Sequence, residues 1–218
     1  SAGATTLNHR VQGPTCQRCA GNPFFMKSMM NKQQARLQLR SRRREISSER
    51  RHSAANRAAD LIDQLPDWRN AHLVAAYLAM PEEFDCGPLL HAAWNGHKQT
   101  CLPGITQENT LQFLRYSADD GLRTGRYGIR QPLQSAAGED IASLDVMFLP
   151  LVGWDREGTR LGMGAGYYDR ALASAKPGVL VGIGYDCQES DALPREPWDV
   201  TLDYVLTESR LICCAPRV

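Results

Sequence analysis

From Asn31 the polar and apolar positions take on a helical period. Lys32, Arg36, Arg40 and Arg44 recur every fourth residue and form one cationic stripe. Like charges at that spacing repel by roughly 0.2–0.5 kcal/mol per pair, so the stripe weakens its own helix unless something anionic faces it. The simpler alternative is a solvated face. Ile46-Ser47-Ser48-Glu49 marks a break and a new start, with Ser47 as N-cap. The helix that follows sets Ala54, Ala58, Leu61, Ile62 and Leu65 on one side, and Pro66 ends it. Residues 72–80 (HLVAAYLAM) form a continuous apolar run stopped by Pro81, which predicts a buried strand. Residues 86–97 read as a helix closed by Asn95-Gly96, and residues 98–102 as a short strand ending at Pro103. A further strand is predicted over residues 110–116, with Leu111, Phe113 and Arg115 on one face; residues 123–132 read as a loop. Residues 145–153 are the most strand-like of all. A glycine-rich turn, a short helix (YYDRALASA) and strands over residues 179–185 and 203–207 complete the pattern.

Strands alternating with helices predict a single three-layer, Rossmann-like α/β domain, its mostly parallel central sheet flanked by helices. In such sheets ligands bind beyond the carboxyl ends of the strands. PEEFD, the glycine turn and GYDCQ each follow a strand, so all three are expected around one crevice. The expected domain covers residues 26–218; residues 1–25 show no periodicity and read as an extension.

Composition changes this picture little. Hydrophobic residues make up 43% and charged residues 22% of 218, and the net charge of +1 argues against wholesale nucleic-acid binding. The charge is uneven, however. Residues 1–60 carry twelve Lys/Arg against three acids, the rest thirteen against twenty-one. A basic start over an acidic body suits an anion-binding arm or a nucleic-acid tail. As an organellar leader it fits poorly, because its arginine stripe continues into the domain. Seven cysteines do not form a secreted disulfide framework. Cys16 and Cys19 are at best half a zinc site, since no second pair has ligand spacing. No run approaches the ~20 apolar residues of a spanning helix. The expectation is a soluble, cytoplasmic protein in a reducing compartment, with no membrane partner.

The stretch RLGMGAGYYDR, Arg160 to Arg170, carries the candidate chemistry. Gly162, Gly164 and Gly166 leave the backbone bare, so consecutive N–H groups can turn toward one anion at the start of a helix. Arg160 and Arg170 flank the turn, and Asp169 is placed to hold a divalent cation beside phosphates. The spacing is neither a P-loop nor a dinucleotide fingerprint.

Taken together, K-x-x-x-R (Lys32, Arg36), YLAMPEEFD, Y-G-I-x-Q-P (Tyr127 to Pro132), DVMFLPLVGWD followed by RLGMGAGYYDR, and the late PWDVTLD resemble the 5-formyltetrahydrofolate cyclo-ligase family, also called methenyltetrahydrofolate synthetases. The resemblance runs in order over residues 30–208, and residues 145–170 are its most specific part. It implies a small single-domain α/β enzyme, monomeric, acting on ATP and 5-formyltetrahydrofolate with Mg²⁺ and releasing ADP, phosphate and 5,10-methenyltetrahydrofolate. Nucleic acid is not an expected partner. By this resemblance Lys32 and Arg36 contact phosphate, and Arg160, Leu161, Gly162, Met163, Gly164, Ala165, Gly166, Tyr167 and Tyr168 form the ATP loop. Asp169 and Asp199 are implied as Mg²⁺ ligands, with Asp203 a weaker substitute for the second. Leu78, Glu83, Tyr127 and Tyr168 are implied around the folate, and Arg36, Arg160 and Asp169 as catalytic. Ala165 stands where family members often carry Lys or Gly, which removes one phosphate contact.

The residue types suit that chemistry. A formamide carbon is a poor electrophile until its oxygen is phosphorylated, and phosphoryl transfer needs positioning and charge neutralisation. A carboxylate such as Glu83 can accept from the paired N–H groups of a pterin, although a strand-end carboxylate in water is the plainer reading. Tyr127 and Tyr168 offer stacking faces or core packing; Trp154 and Trp198 read as packing residues. Two other readings stay open. One is a nucleic-acid module using residues 40–52 (RSRRREISSERRH); the other is an ATP-dependent ligase on a different amide or carboxylate.

Overall fold

The computed structural model describes residues 30–133 and 135–214. The extension over residues 1–25, with Cys16 and Cys19, lies outside the described residues. Asn31 opens helix α1 (Lys32–Arg44) with a capping box: its Oδ1 accepts from the Gln34 N–H at 2.9 Å, and Gln34 Oε1 accepts from the Asn31 N–H at 3.1 Å. Helix α2 (Ser48–Leu61) is capped by Ser47 as expected, its Oγ accepting from the Arg50 N–H at 3.3 Å. Ala54, Ala58, Ile62 and Leu65 are buried, while Leu61 is half-buried against the same cluster.

Strand β1 (Leu73–Ala75) is shorter than the apolar run predicts; residues 76–80 leave the sheet, although Ala76 and Tyr77 stay buried. After helix α3 (Gly87–Asn95), β2 (Gln99–Ile105) runs straight through Pro103, where a stop is expected. The reason is local. The Cys101 carbonyl faces β1 and accepts from the Ala76 N–H, so Pro103, two residues on, also faces that side. Paired β1 residues extend only to Cys101, so a residue lacking an N–H costs no ladder bond there. Next come β3 (Leu111–Arg115), β4 (Leu122–Thr124), β5 (Arg130–Pro132) and β6 (Gly138–Glu139). The expected loop over residues 123–132 is thus a hairpin of β4 and β5. The remaining strands are β7 (Val146–Pro150), β8 (Gly153–Trp154), β9 (Arg160–Leu161), β10 (Val179–Ile183), β11 (Tyr204–Leu206) and β12 (Leu211–Cys213), with helix α4 (Tyr167–Ser174) after β9.

Eight strands form the main sheet in the order β12-β11-β10-β7-β1-β2-β3-β6. The five from β11 to β2 are parallel, and β12, β3 and β6 add antiparallel edges. Alternation along the strands sorts the core into two faces. Val74, Val146, Phe148, Val181 and Ile183 pack with Ala55, Ala58, Leu89 and Ala93 of α2 and α3. Ala75, Met147, Leu149, Leu180 and Val205 pack on the opposite side with Leu172 of α4. Three layers result, as the alternating pattern predicts. Helix α1 stands outside them. Its Ala35 and Leu39 pack on Val152 and Leu161 at the carboxyl ends of the central strands.

Candidate active site

The strand leading into the glycine turn is not β7 but β9, which returns through the β8–β9 hairpin. Gly164 (φ +105°) and Gly166 (φ +66°) adopt the left-handed backbone that side chains resist. Gly166 is also the N-cap of α4 and brings no capping side chain, so the first N–H groups of that helix are left for a ligand. A Cβ at Gly164 would meet Cζ of Arg36 at 3.4 Å, an ordinary contact, so the left-handed backbone rather than crowding asks for glycine there.

Cations from two directions grip this turn. Arg36, from α1, donates through Nε to the Gly162 carbonyl at 2.8 Å. Arg160, its side chain only 5% exposed, donates through Nη2 to Asp169 Oδ1 at 2.7 Å and lies over the Tyr168 ring. Arg170 donates to the Ala165 carbonyl at 2.8 Å and covers the Tyr167 ring. Lys32 Nζ pairs with Asp199 Oδ2 at 2.5 Å, and that oxygen also accepts from the Glu196 N–H at 2.7 Å. Burial pushes the Tyr168 phenol well above its ordinary range, with Arg160 opposing. The Tyr167 phenol is raised by its hydrogen bond with Tyr127.

At the other end of α1 the PEEFD turn is fixed by its own backbone. Glu83 Oε2 accepts from the Met80 N–H at 2.9 Å, and the Glu83 N–H donates to the Met80 carbonyl at 3.0 Å. Glu82, at φ +73°, pairs with Arg44 at 3.2 Å. Arg43 is buried beneath, donating through Nη1 to the Leu151 carbonyl; burial lowers its pKa, and the Glu83 carboxylate most strongly opposes that. The basic run of residues 40–52 is therefore largely engaged internally: Arg42 reaches the Glu189 carbonyl, Arg43 that of Leu151, Arg44 the carboxylate of Glu82, and Arg51 the Ile46 carbonyl.

One cavity of about 760 Å³ joins these parts, and Lys32, Arg36, Leu78, Glu83, Tyr127, Arg160, Leu161, Gly162, Met163, Gly164, Ala165, Gly166, Tyr167, Tyr168, Asp169 and Asp199 all line it. Apart from the weaker substitute Asp203, every site residue named from the sequence is brought to it. Asp203 is not: its Oδ2 accepts from the Leu180 N–H at 2.8 Å at the opposite, amino end of β10. Several wall residues escaped the sequence reading. Pro103 and Ile105 carried no chemical signal, and Ile129 and Gln131 stood in the Y-G-I-x-Q-P motif without an assigned role; Gln131 Oε1 accepts from the Ile105 N–H. That bond ties the β4–β5 hairpin, and with it Tyr127, to the sheet. Trp154 is packing, as expected, at 0% exposure. Trp198 is not: it is 70% exposed at the cavity. Its place beside Asp199 was the available clue.

Comparison with known proteins bears on the same residues. The family model described as the 5-formyltetrahydrofolate cyclo-ligase family matches residues 28–208. The chain belongs to that family. Among cyclo-ligase relatives, the 5-formyltetrahydrofolate cyclo-ligase of Escherichia coli is 35% identical over 79% of this chain and 98% of its own length. That of Haemophilus influenzae is 33% identical over 80% and 96% respectively. The solution structure of the Aquifex aeolicus 5,10-methenyltetrahydrofolate synthetase superposes with a TM-score of 0.74 at 29% identity, covering 86% of this chain and 94% of that one. The Mycoplasma pneumoniae 5,10-methenyltetrahydrofolate synthetase, at 23% identity and a TM-score of 0.64, shares the fold. This cyclo-ligase family member is accordingly an enzyme. Among its described residues no helix is long and apolar enough to cross a membrane.

The donor set also suits Mg²⁺ in the form it takes beside phosphates. No group of three or more His, Cys, Asp or Glu side chains gathers into a metal site among the described residues. Asp169 and Asp199 each present a carboxylate to the cavity, beside Arg160 and Lys32 respectively. Mg²⁺ commonly takes one or two carboxylates and completes its shell with water and phosphate oxygens. Asp169 and Asp199 are carboxylates of that kind and number.

Proposed function

We propose that the chain converts 5-formyltetrahydrofolate to 5,10-methenyltetrahydrofolate with cleavage of ATP to ADP and phosphate. The reading is carried by one observation: a cation-flanked glycine turn and a strand-end carboxylate open on the same cavity. The triphosphate lies on the turn, its charge met by Lys32, Arg36, Arg160 and the bare N–H groups starting α4. Glu83 accepts from the pterin N–H groups and sets the formyl oxygen toward the terminal phosphorus. That oxygen attacks, ADP leaves, and the former amide carbon becomes an electrophile. The substrate's N10 amine then adds to this carbon, loses its proton, and phosphate departs with the C–O bond. Tyr127 and Tyr168 confine the flat rings. Mg²⁺, held by Asp169 and Asp199 with phosphate oxygens, would neutralise charge on the phosphates. The chain acts as a monomer in the cytoplasm on this reading.

Mixing the protein with ATP, Mg²⁺ and 5-formyltetrahydrofolate tests it directly. The methenyl product absorbs in the near ultraviolet and the substrate does not. An ATP-dependent rise in that absorbance is expected; a flat trace with folded protein rejects the proposal.

A further inference from the structure

Three of the four tryptophans are covered by the fold. Trp154 and Trp68 are 0% and 4% exposed, and half-buried Trp94 donates its Nε1–H to Thr100 Oγ1. Trp198, at 70% exposure, presents a large apolar ring to the cavity instead. Among the described residues it stacks on no other aromatic ring. The turn beneath it is held on both sides. The Asp199 N–H donates to the Glu196 carbonyl at 3.0 Å, the Glu196 N–H donates to Asp199 Oδ2 at 2.7 Å, and Lys32 holds the same oxygen. The backbone that aims the indole is thus set before a ligand arrives.

Helix α1 fixes where along the cavity this ring lies. Its first residue, Lys32, touches the Trp198 turn; its last, Arg44, pairs with Glu82 beside Glu83. Twelve residues at 1.5 Å rise separate those two points by about 18 Å. Arg36, one turn in from Lys32, holds the glycine turn between them. A triphosphate on that turn whose terminal phosphorus faces the Glu83 end must send its nucleoside the other way. We propose that Trp198 is the stacking platform for the purine base of the nucleotide. This rests on the nucleotide reading of the site given above. Stacking uses the π-face that every base has, so the platform favours a base over none without choosing strongly among purines.

The test compares the wild-type chain with Trp198→Ala and Trp198→Phe by calorimetry, tryptophan fluorescence and steady-state kinetics, using ATP, GTP and inorganic tripolyphosphate. Trp198→Ala is expected to bind ATP and GTP about tenfold more weakly, a factor within the usual range for one base on one ring. Tripolyphosphate affinity and the KM for folate should stay unchanged. Trp198→Phe should recover most of the ATP affinity while losing the nucleotide-induced change in emission. Equal ATP affinity in wild type and Trp198→Ala overturns this inference and leaves the nucleotide site standing. A raised KM for folate alone also overturns it, assigning the ring to the folate tail. A wild-type chain with no affinity for any nucleotide overturns both readings.

Discussion

Lys32 and Asp199 stand 167 residues apart and meet through Nζ and Oδ2 at the cavity wall, joining the first helix to the segment before β11. The Lys32 and Asp199 side chains are 24% and 15% exposed, so the contact is sheltered from solvent screening. Because the pair acts as one unit, losing either member should remove much of what both supply. Lys32→Ala and Asp199→Ala are each expected to lower kcat/KM for ATP by about tenfold, and the double variant by little more. Multiplicative losses in the double variant would show two independent residues.

Arg36 holds the Gly162 carbonyl and Asp169 pairs with Arg160 at the glycine turn, and the proposed reaction gives both a part in phosphoryl transfer. Removing one preorganised charge partner of this kind commonly costs about 2.7–4 kcal/mol of transition-state stabilisation. Arg36→Ala and Asp169→Ala should therefore each lower turnover by on the order of 10²-fold or more. Asp169→Ala also strips the buried Arg160 of its carboxylate, so Asp169→Asn, with folding checked by circular dichroism, separates chemistry from stability. Near-normal turnover in Arg36→Ala and Asp169→Asn would count against the assignment.

Glu83 is assigned to one substrate alone. Glu83→Ala should raise KM for 5-formyltetrahydrofolate by about tenfold or more and leave KM for ATP nearly unchanged, since a charge-assisted pair is worth roughly 1.5–3 kcal/mol. Equal rises in both would assign the residue to the turn's architecture through its bond to the Met80 N–H.

Gln188 serves stability. At 1% exposure its Nε2 donates to the Leu151 and Val152 carbonyls and its Oε1 accepts from the Tyr185 N–H. Gln188→Leu strands buried backbone groups at about 1–3 kcal/mol each. A loss of several kcal/mol in urea unfolding is expected, with a lower Tm; a loss below about 1 kcal/mol would show that other groups replace those bonds.

Glu208 gives a pH dependence. Burial pushes its carboxyl above the usual carboxylate range, although its Oε2 accepts from the Asp186 N–H at 3.1 Å. A raised folded-state value means the folded chain holds the proton more tightly. The stability this supplies is full below the ordinary glutamate value and is lost as pH rises through the raised one. Glu208→Gln keeps an acceptor and never ionises. Its Tm relative to wild type should climb as pH rises above the ordinary glutamate value of about 4.3. A difference that stays level with pH would refute this.

Much of this fold follows from local pattern. Ser47 caps α2 where the break in the stripe places it, and the apolar runs behind β7 and β10 form adjacent central strands because alternate residues must be buried on two faces. Lys32, Arg36, Glu83 and the glycine turn were legible because their residue types match a known pattern and each follows or opens a periodic element. The one-dimensional string fails where a neighbour decides. Pro103 stays in a strand because β1 has already ended beside it, and β12 forms because β11 offers it an edge. Residues 123–132 belong to a hairpin paired through its own backbone and tied to β2 by the Gln131 bond to the Ile105 N–H.

The chain's periodicities sufficed for the layered architecture, and its resemblance to a known family for the candidate phosphate and pterin contacts. Packing alone determined which partners those groups meet. Asp199 and Asp203 look alike in PWDVTLD, yet one faces Lys32 in the cavity and the other holds the Leu180 N–H at the amino end of β10. Trp154 and Trp198 were alike as tryptophans, and only the folded chain covers one and leaves the other bare. The cause is the range of the forces: helix caps and hydrophobic period act over a few neighbouring residues, whereas ion pairing and burial depend on distances in space that the order of residues does not contain.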